Sequence, residues 1–580
     1  MDSSIDFLCL PRFDSPAVFA ALLDPDRGGR FRIAPVMATP RRKQLYLPDS
    51  NVLLSRFLAA DGVAEISDFM PIAPPGKLHT LVRRVKTVRG EVAFRMICEP
   101  RFDYARSRHR VELGDGGALF IAANAGGITL RLRTEVPLRI AGGAVVAEFT
   151  LRTNQSRAFV LEQVDGDATD SPAAAASFVA DAFKQTTNFW RAWIARSTYQ
   201  GRWREIVNRS ALTLKLLTSS EFGSIVAAPT FGLPEHLGGV RNWDYRYTWI
   251  RDASFTLYAL MRLGYTAEAG DFIRWLGARC QDASAAGSLQ TAYGIDGRRD
   301  LTEATLPHLR GYFGSVPVRI GNGAYRQQQL DIYGELMGAV YLYDRYGQPI
   351  AHDLWTDLTR LMDWVCEHWR EDDEGIWEVR SGRQAFLHSR VMCWAALDRA
   401  IRLARRRSFP APLGRWHDVR DQIYQDVFAS FWDERRATFV QHRGGSSLDA
   451  AMLLMPLVKF LSPRDPRWLS TLRAIERSLV DDSLVYRYRI DDQTTDGLRG
   501  KEGTFSMCSF WYIECLAREG DVQQARFLFE KMLGYANHLG LFAEQLGPCG
   551  EHLGNFPQAF THVALISAAC ALDRALESGA

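Results

Sequence analysis

The chain contains no run of eighteen apolar residues, so no membrane-spanning helix is expected. Neither sign of charge dominates: 70 Lys and Arg stand against 67 Asp and Glu, for a formal net charge of +3. That balance supplies no bulk field for nucleic acid or for an anionic membrane surface. Nine cysteines are scattered from Cys9 to Cys570 with no CxxC pair. The odd number and the spacing argue against a disulfide framework and against a paired-thiolate metal site. Cys393 in VMCWAAL and Cys570 in ISAACAL sit in apolar surroundings and read as reduced core residues of a cytoplasmic protein. The opening MDSSIDFLCLPRFDSP lacks the basic start, apolar run and small-residue cleavage site of a signal peptide. On that reading the sequon Asn154-Gln-Ser156 is a chance match.

Several chemistries are missing as well. There is no HExxH, no GxxxxGK[ST], no GxGxxG after a strand and no GxSxG elbow. No metal site and no cofactor are therefore expected. The clusters Arg41-Arg42-Lys43 and Arg405-Arg406-Arg407 are short and read as solvated surface rather than a nucleic-acid footprint.

What is present is an ordinary globular composition, 47% hydrophobic and 24% charged, which excludes a disordered chain. A length of 580 residues points to more than one domain. Residues 1–175 carry short runs rich in Val, Ile, Leu, Phe and Thr, among them Thr80–Val88, Val92–Cys98 and Ala144–Thr153. Breaks at Gly114–Gly117, Gly126–Gly127 and Gly142–Gly143 separate them, predicting an antiparallel β-sandwich of about five to ten strands. A helical linker is expected over 176–202, starting near Pro172.

From 203 to 580 the period becomes helical, in twelve segments. Alternate segments are amphipathic, such as 350–370 with Leu354, Leu358, Leu361 and Val365 on one face. The others (252–264, 327–346, 386–406, 446–460, 503–518 and 556–576) are apolar nearly all round. A one-faced helix lies at a surface and an all-round apolar helix lies inside. Six such hairpins can close into an (α/α)6 toroid; an irregular helical domain or an α-solenoid is the alternative. Long loops precede the inner helices, at 220–251, 282–326, 371–385, 481–502 and 537–555, so one rim of the toroid should hold the site.

Those loops carry candidate sugar-binding chemistry. NWDYRYTWIRDA at 242–253 sets Tyr245 and Trp249, flat faces suited to a pyranose, beside Arg251 and Asp252, which can bind vicinal hydroxyls. The alternative is a packed aromatic corner with Asp252 capping the next helix. Asn322, Gln327, Gln329 and Asp331 offer polar groups for hydroxyls, or for loop capping. In EGIWEVR at 374–380, Glu378 follows Trp377; a carboxyl desolvated by an indole suits a general acid, whereas pairing with Arg380 would make it a surface residue. Phe510 and Trp511 read as core, and Glu502 as a residue facing the rim. Glu544, in the last long loop, supplies a second carboxyl on the same rim, as glycosidic hydrolysis requires.

Six ordered segments resemble glycoside hydrolase family 15, the glucoamylase-like enzymes that include trehalases and glucodextranases. They are SIDFLCLPRFDSPAVFAALLD at 4–24, GGVRNWDYRYTWIRDASF at 238–255, the Gln-rich segment at 327–335, EGIWEVR at 374–380, EGTFSMCSFW at 502–511 and GNFPQAFTH at 554–562. The resemblance implies an inverting mechanism with Glu378 as general acid and Glu544 as general base. It also implies that Arg251 and Asp252 grip the non-reducing glucose and that Tyr245 and Trp249 form the aromatic wall. Inversion calls for carboxyls roughly 6.5–9.5 Å apart. Many trehalase-like members carry two acids where this chain has Glu544-Gln545, and relatives begin some residues before the SIDFLCLPRFDSP motif. The expected substrate is trehalose, giving β-D-glucose. Short α-1,4- or α-1,6-glucans, or a non-catalytic sugar-binding toroid, are the alternatives. Homo-oligomerisation is left open.

Overall fold

The computed structural model describes residues 2–72, 79–124, 127–164, 176–286, 288–490 and 496–579. The chain divides into two compact units, Met1–Arg196 with Leu306–Phe313, and Ser197–Thr305 with Gly314–Ala580. The expected break at Gly126 and the expected helix start near Pro172 lie outside the described residues.

The first unit is built on one strand of 20 residues, Thr80–Glu99. The runs at 80–88 and 92–98, read from the sequence as separate, are its two halves. The first half pairs antiparallel with Gly62–Phe69 and Ser156–Val164, the second with Arg30–Val36 and Ala144–Arg152. The change of partners falls at Gly90, whose φ of +81° only glycine adopts readily; a Cβ there would meet the Asp61 carbonyl oxygen at 2.2 Å. Two leaves thus share one strand and enclose one core, in which Phe31, Ile33, Phe94 and Met96 meet Phe57, Ile66, Phe120 and Leu161. Full burial stabilises each such side chain by roughly 1.5–3 kcal/mol. The connected sheet has twelve strands, more than expected, because strands as short as Ser4–Ile5 and Arg139–Ala141 leave no alternation to read. Phe102–Ala105 (α1) is a single tight turn with positive φ at Asp103 and Tyr104. The helix Ala176–Ile194 (α2) is not a free linker. Its Val179 and Ala182 pack on Val52, Phe69, Val82 and Val160, covering the outer face of one leaf.

The second unit contains the expected twelve helical segments. The outer ones are α3 (Arg204–Leu216), α5 (Thr266–Ala286), α7 (His352–His368), α9 (Leu413–Phe431), α11 (Pro466–Leu479) and α13 (Val522–Leu533). The inner ones are α4 (Ile250–Arg262), α6 (Ile332–Tyr346), α8 (Leu387–Arg407), α10 (Leu454–Leu457), α12 (Ser506–Glu519) and α14 (Ala559–Glu577). Each inner helix packs on the next, and α14 packs back on α4, which closes the ring as an (α/α)6 toroid. α9 buries only Trp416, Ile423, Val427 and Phe431, whereas α12 is buried continuously from Ser506 to Ala517. α10 is far shorter than the helix expected over 446–460, being one turn preceded by a 3-10 turn, Ala450–Leu453. Pro456 causes this: proline is tolerated only in a first turn, because its ring clashes with the carbonyl four residues back. α14 is long and apolar enough to cross a membrane by length and composition, yet 72% of its apolar window is buried inside the protein.

Candidate active site

The long loops before the inner helices surround one pocket of about 760 Å3, measured out to its open mouth. Short strands lace these loops together. Thr248–Trp249 pairs with Ala292–Tyr293, and Gln545–Leu546 pairs with both Thr504–Phe505 and His552–Leu553. Of the sequence candidates, Tyr245, Trp249, Arg251, Asp252, Gln327, Trp377, Glu378 and Glu544 all line the pocket.

α4 begins at Ile250, two residues before the expected start, and Asp252 lies inside its first turn rather than at its cap. Arg251 is held on three sides. Its Nη1 donates to Gln329 Oε1 at 2.7 Å and to Asp331 Oδ2 at 3.2 Å, and its Nη2 donates to Glu378 Oε1 at 3.2 Å. Asp252 Oδ2 is 3.7 Å from Arg251 Nε. Burial outweighs that attraction and pushes the Asp252 carboxyl up to about 6.

Gln329, expected to meet substrate, lies behind Arg251 and does not line the pocket. Its amide donates to Gln327 Oε1 at 3.0 Å, and the Gln327 amide donates to the carbonyls of Glu378 and Val379, each at 3.2 Å. The two glutamines therefore tie Arg251 to the turn that carries Glu378. They precede α6 instead of opening it as expected, because the N–H groups of Gln328 and Leu330 are taken by the carboxylates of Glu374 and Asp373 at 2.8 Å each.

Glu378 sits in left-handed backbone, φ +59°, at the end of a turn that starts at Gly375, φ +65°. A non-glycine residue held there costs on the order of 1–3 kcal/mol, a strain typical of functional positions. The expected desolvation by Trp377 is not found. The Trp377 indole donates to Asp449 Oδ1 at 2.8 Å, and the Glu378 side chain keeps 24% of its exposure. It is Trp249 Nε1 that donates to Glu378 Oε1, at 2.7 Å. Arg380 pairs with Glu303 at 2.7 Å and leaves Glu378 alone.

Glu544 is 4% exposed. Its backbone carbonyl accepts from the N–H of Ser506 at 2.9 Å, at the start of α12. Its Oε1 accepts from Tyr245 Oη at 2.8 Å, while its Oε2 is buried with no partner. The rings of Tyr245 and Trp249 meet edge to face, with centroids 5.6 Å apart. One chain of contacts thus runs Glu544–Tyr245–Trp249–Glu378, holding both carboxyls through two interlocked aromatics. Each carboxyl is anchored at Oε1. Burial and the nearby carboxyl of Glu235 push Glu544 well above the usual carboxylate range. Burial also raises Tyr245, which therefore stays a phenol and a donor.

The sequence reading passed over Glu235. It is 3% exposed, lines the pocket and accepts from Trp243 Nε1 at 2.8 Å, while its Oε2 has no hydrogen bond and faces Arg241 Nη1 at 3.8 Å. Its signal, an acid in the apolar stretch FGLPEHLGG of the first long loop, is weak without coordinates. Arg487, also missed, lines the pocket and donates from Nε to Glu502 Oε1 at 3.0 Å. Glu502 itself does not line the pocket; its side chain, 3% exposed, is held between Arg241 and Arg487. Among the described residues no group of His, Cys, Asp and Glu is placed to hold a metal ion.

Known proteins resemble the chain in fold and in sequence. A bacterial glucoamylase complexed with acarbose superposes with a TM-score of 0.74, covering 99% of this chain and 91% of that one at 14% identity, a likeness of fold. The trehalase of Mycobacterium tuberculosis is 40% identical over 99% of this chain and 87% of its own. The trehalase of Thermoplasma acidophilum is 36% identical over 99% of this chain and 98% of its own. Residues 1–177 match the family model described as trehalase-like, N-terminal. Residues 201–570, which contain every residue of the pocket, match the model of glycosyl hydrolases family 15, and the chain belongs to that family.

Proposed function

We propose that the protein hydrolyses α,α-trehalose with inversion, releasing β-D-glucose, with Glu378 as general acid and Glu544 as general base. The observation that carries this reading is the pair of carboxyls lining one pocket, each anchored through Oε1 to the Tyr245–Trp249 pair. Glu378 Oε2 is left to deliver a proton to the glycosidic oxygen. Glu544 Oε2, unpartnered and buried, is left to take a proton from the attacking water. Arg251 and Asp252 hold hydroxyls of the glucose that is cut off, and Gln327 and Gln329 keep the arginine and the acid in register. Trp377 closes the wall beside them.

Trehalose is preferred over a longer glucan because relatives named trehalase match along nearly the whole chain. The partner is accordingly a small α-glucoside. The nine free cysteines, six of them buried, support a reducing compartment, the cytoplasm. The test is anomer-resolved detection of glucose from trehalose, maltose and isomaltose. β-Glucose from trehalose is expected, with Glu378→Gln and Glu544→Gln each lowering kcat by about 10²–10⁴ while the fold is retained. Release from maltose or isomaltose but not from trehalose would transfer the assignment to a glucoamylase. No release from any of the three would leave a sugar-binding toroid.

A further inference from the structure

The toroid has a second cavity. It opens at the C-terminal ends of the inner helices and holds about 2040 Å3 of space out to its mouth. Arg262, Arg345, Arg402, Lys459, Arg518 and Arg574 line it, with Arg399 as a seventh cation, against only two carboxyls, Glu335 and Glu514. Part of this charge is matched: Arg518 pairs with Glu514, and Arg399 and Arg402 pair with Asp398. Among the described residues no carboxylate lies within ion-pair distance of Arg345, Lys459 or Arg574, and Arg262 acts on Glu514 only across a longer gap. Arg262 donates to Ser567 Oγ at 3.2 Å, Arg574 donates to the carbonyl of Cys570 at 3.0 Å, and Arg345 lies 5.1 Å over the ring of Tyr346. Helix C-termini attract cations, but each offers only about half a negative charge, so the rim keeps an excess of positive charge. That excess is felt locally: burial and the neighbouring Arg262 and Arg518 hold the Arg574 guanidinium below its ordinary value.

The interior of the cavity is different in character. Phe255, Tyr258, Tyr341 and Trp511 form aromatic walls. Ser254 and Glu335, 3% and 5% exposed, line its inner end, and Ser254 Oγ and Glu335 Oε1 are buried without a partner. Buried polar atoms are ordinarily hydrogen-bonded, so these two mark a place for a polar guest.

We infer that this cavity is a binding site for an organic polyanion, an aromatic body carrying several negative charges, of which a nucleoside polyphosphate is the class that fits. The ring seats between the tyrosines and Trp511, its polar edge meets Ser254 and Glu335, and the phosphoryl groups meet the unpaired cations of the rim. α4 links the two sites: it carries Arg251 and Asp252 in its first turn, Ser254 at the inner end of the second cavity and Arg262 at its rim. At 1.5 Å per residue the rim lies about 16 Å from Arg251, whereas Ser254 lies only about 4.5 Å along the helix from it. The inference rests on the second cavity alone and does not depend on which sugar the first one takes.

The test is isothermal titration calorimetry of the full-length protein with four probes: ATP, AMP, tripolyphosphate and inorganic phosphate. ATP is expected to bind at least about tenfold more tightly than any of the other three, a difference of about 1.4 kcal/mol. Added salt should weaken the binding. The double variant Arg345→Glu with Lys459→Glu, two exposed positions, should lower ATP affinity by about tenfold or more. Glucose release from trehalose should stay at the wild-type rate. Absence of ATP binding, equal affinity for any other probe, or indifference to the double variant would each overturn the inference.

Discussion

Gly554 offers a test of how closely the base is held, because the perturbation touches Glu544 without altering it. A Cβ at Gly554 would lie 2.3 Å from Glu544 Oε2 and 2.9 Å from its Cβ. A relaxed carbon–oxygen contact is near 3.3 Å, so in Gly554→Ala the carboxylate must retreat by about 1 Å, a displacement that can cost about 10²-fold in rate. The φ of +75° adds strain of its own, on the order of 1–2 kcal/mol for a residue with a Cβ. Gly550 separates the two effects. Its φ is +77°, yet its Cβ would meet nothing nearer than the ring of Tyr535 at 3.6 Å. Both alanine variants should melt earlier than the parent, Gly554→Ala by more because its Cβ also presses on Glu544. Only Gly554→Ala should lose kcat, by about 10²-fold with KM little changed, measured as initial rates of glucose release from trehalose. Wild-type kcat in Gly554→Ala, or equal losses in the two variants, would refute the claim that the position of Glu544 limits the reaction.

The backbone of Glu378 gives a second test. At φ +59° the usual order of Ala and Gly should invert, so Glu378→Gly should be more stable than Glu378→Ala by about 1 kcal/mol in denaturant titration, with both variants inactive. Activity should also respond to acid. Glu544 works only when ionised, and its carboxyl holds its proton to a higher pH than an ordinary glutamate, so kcat/KM should fall as pH drops through that raised value. Glu544 is faced by Glu235, Arg487, Asp252 and the phenol of Tyr245; Glu235→Gln removes one repelling carboxyl and should move the acid limb to lower pH in a pH–rate profile. Stability has the opposite sign. Above the ordinary value of 4.5 the unfolded chain releases a proton that folded Glu544 keeps, so this group costs stability as pH rises. Glu544→Gln should therefore raise Tm near pH 7, with the gain shrinking toward pH 4 in calorimetry.

Much of this protein was legible in its residues. Apolar surface all round Met507–Leu516 and Val563–Leu572, set against the single stripe of Leu358, Leu361 and Val365, reports which helices are inner, because hydrophobic periodicity is a local consequence of which faces meet water. Long loops before every second helix likewise placed the pocket at one rim. Residue type put Glu378, Glu544, Arg251 and Asp252 forward, the resemblance to a known family chose among their alternatives, and all four line one pocket.

Other features depend on neighbours far away in the chain. Gln329 reads as a sugar ligand until Arg251, 78 residues earlier, is seen to occupy its amide oxygen. The Glu378 carboxyl is met by the indole of Trp249, 129 residues away, and not by that of adjacent Trp377, because a left-handed turn directs the two side chains apart. Glu235 enters the pocket only when its loop folds against Glu544, and no local period announces a lone acid. Periodicity and residue type are properties of a segment, so the sequence determined the helices, their inner and outer faces and the acids on offer. Hydrogen-bond partners and the burial of charge are properties of the packed chain, and only the tertiary structure decided which groups stay free to act.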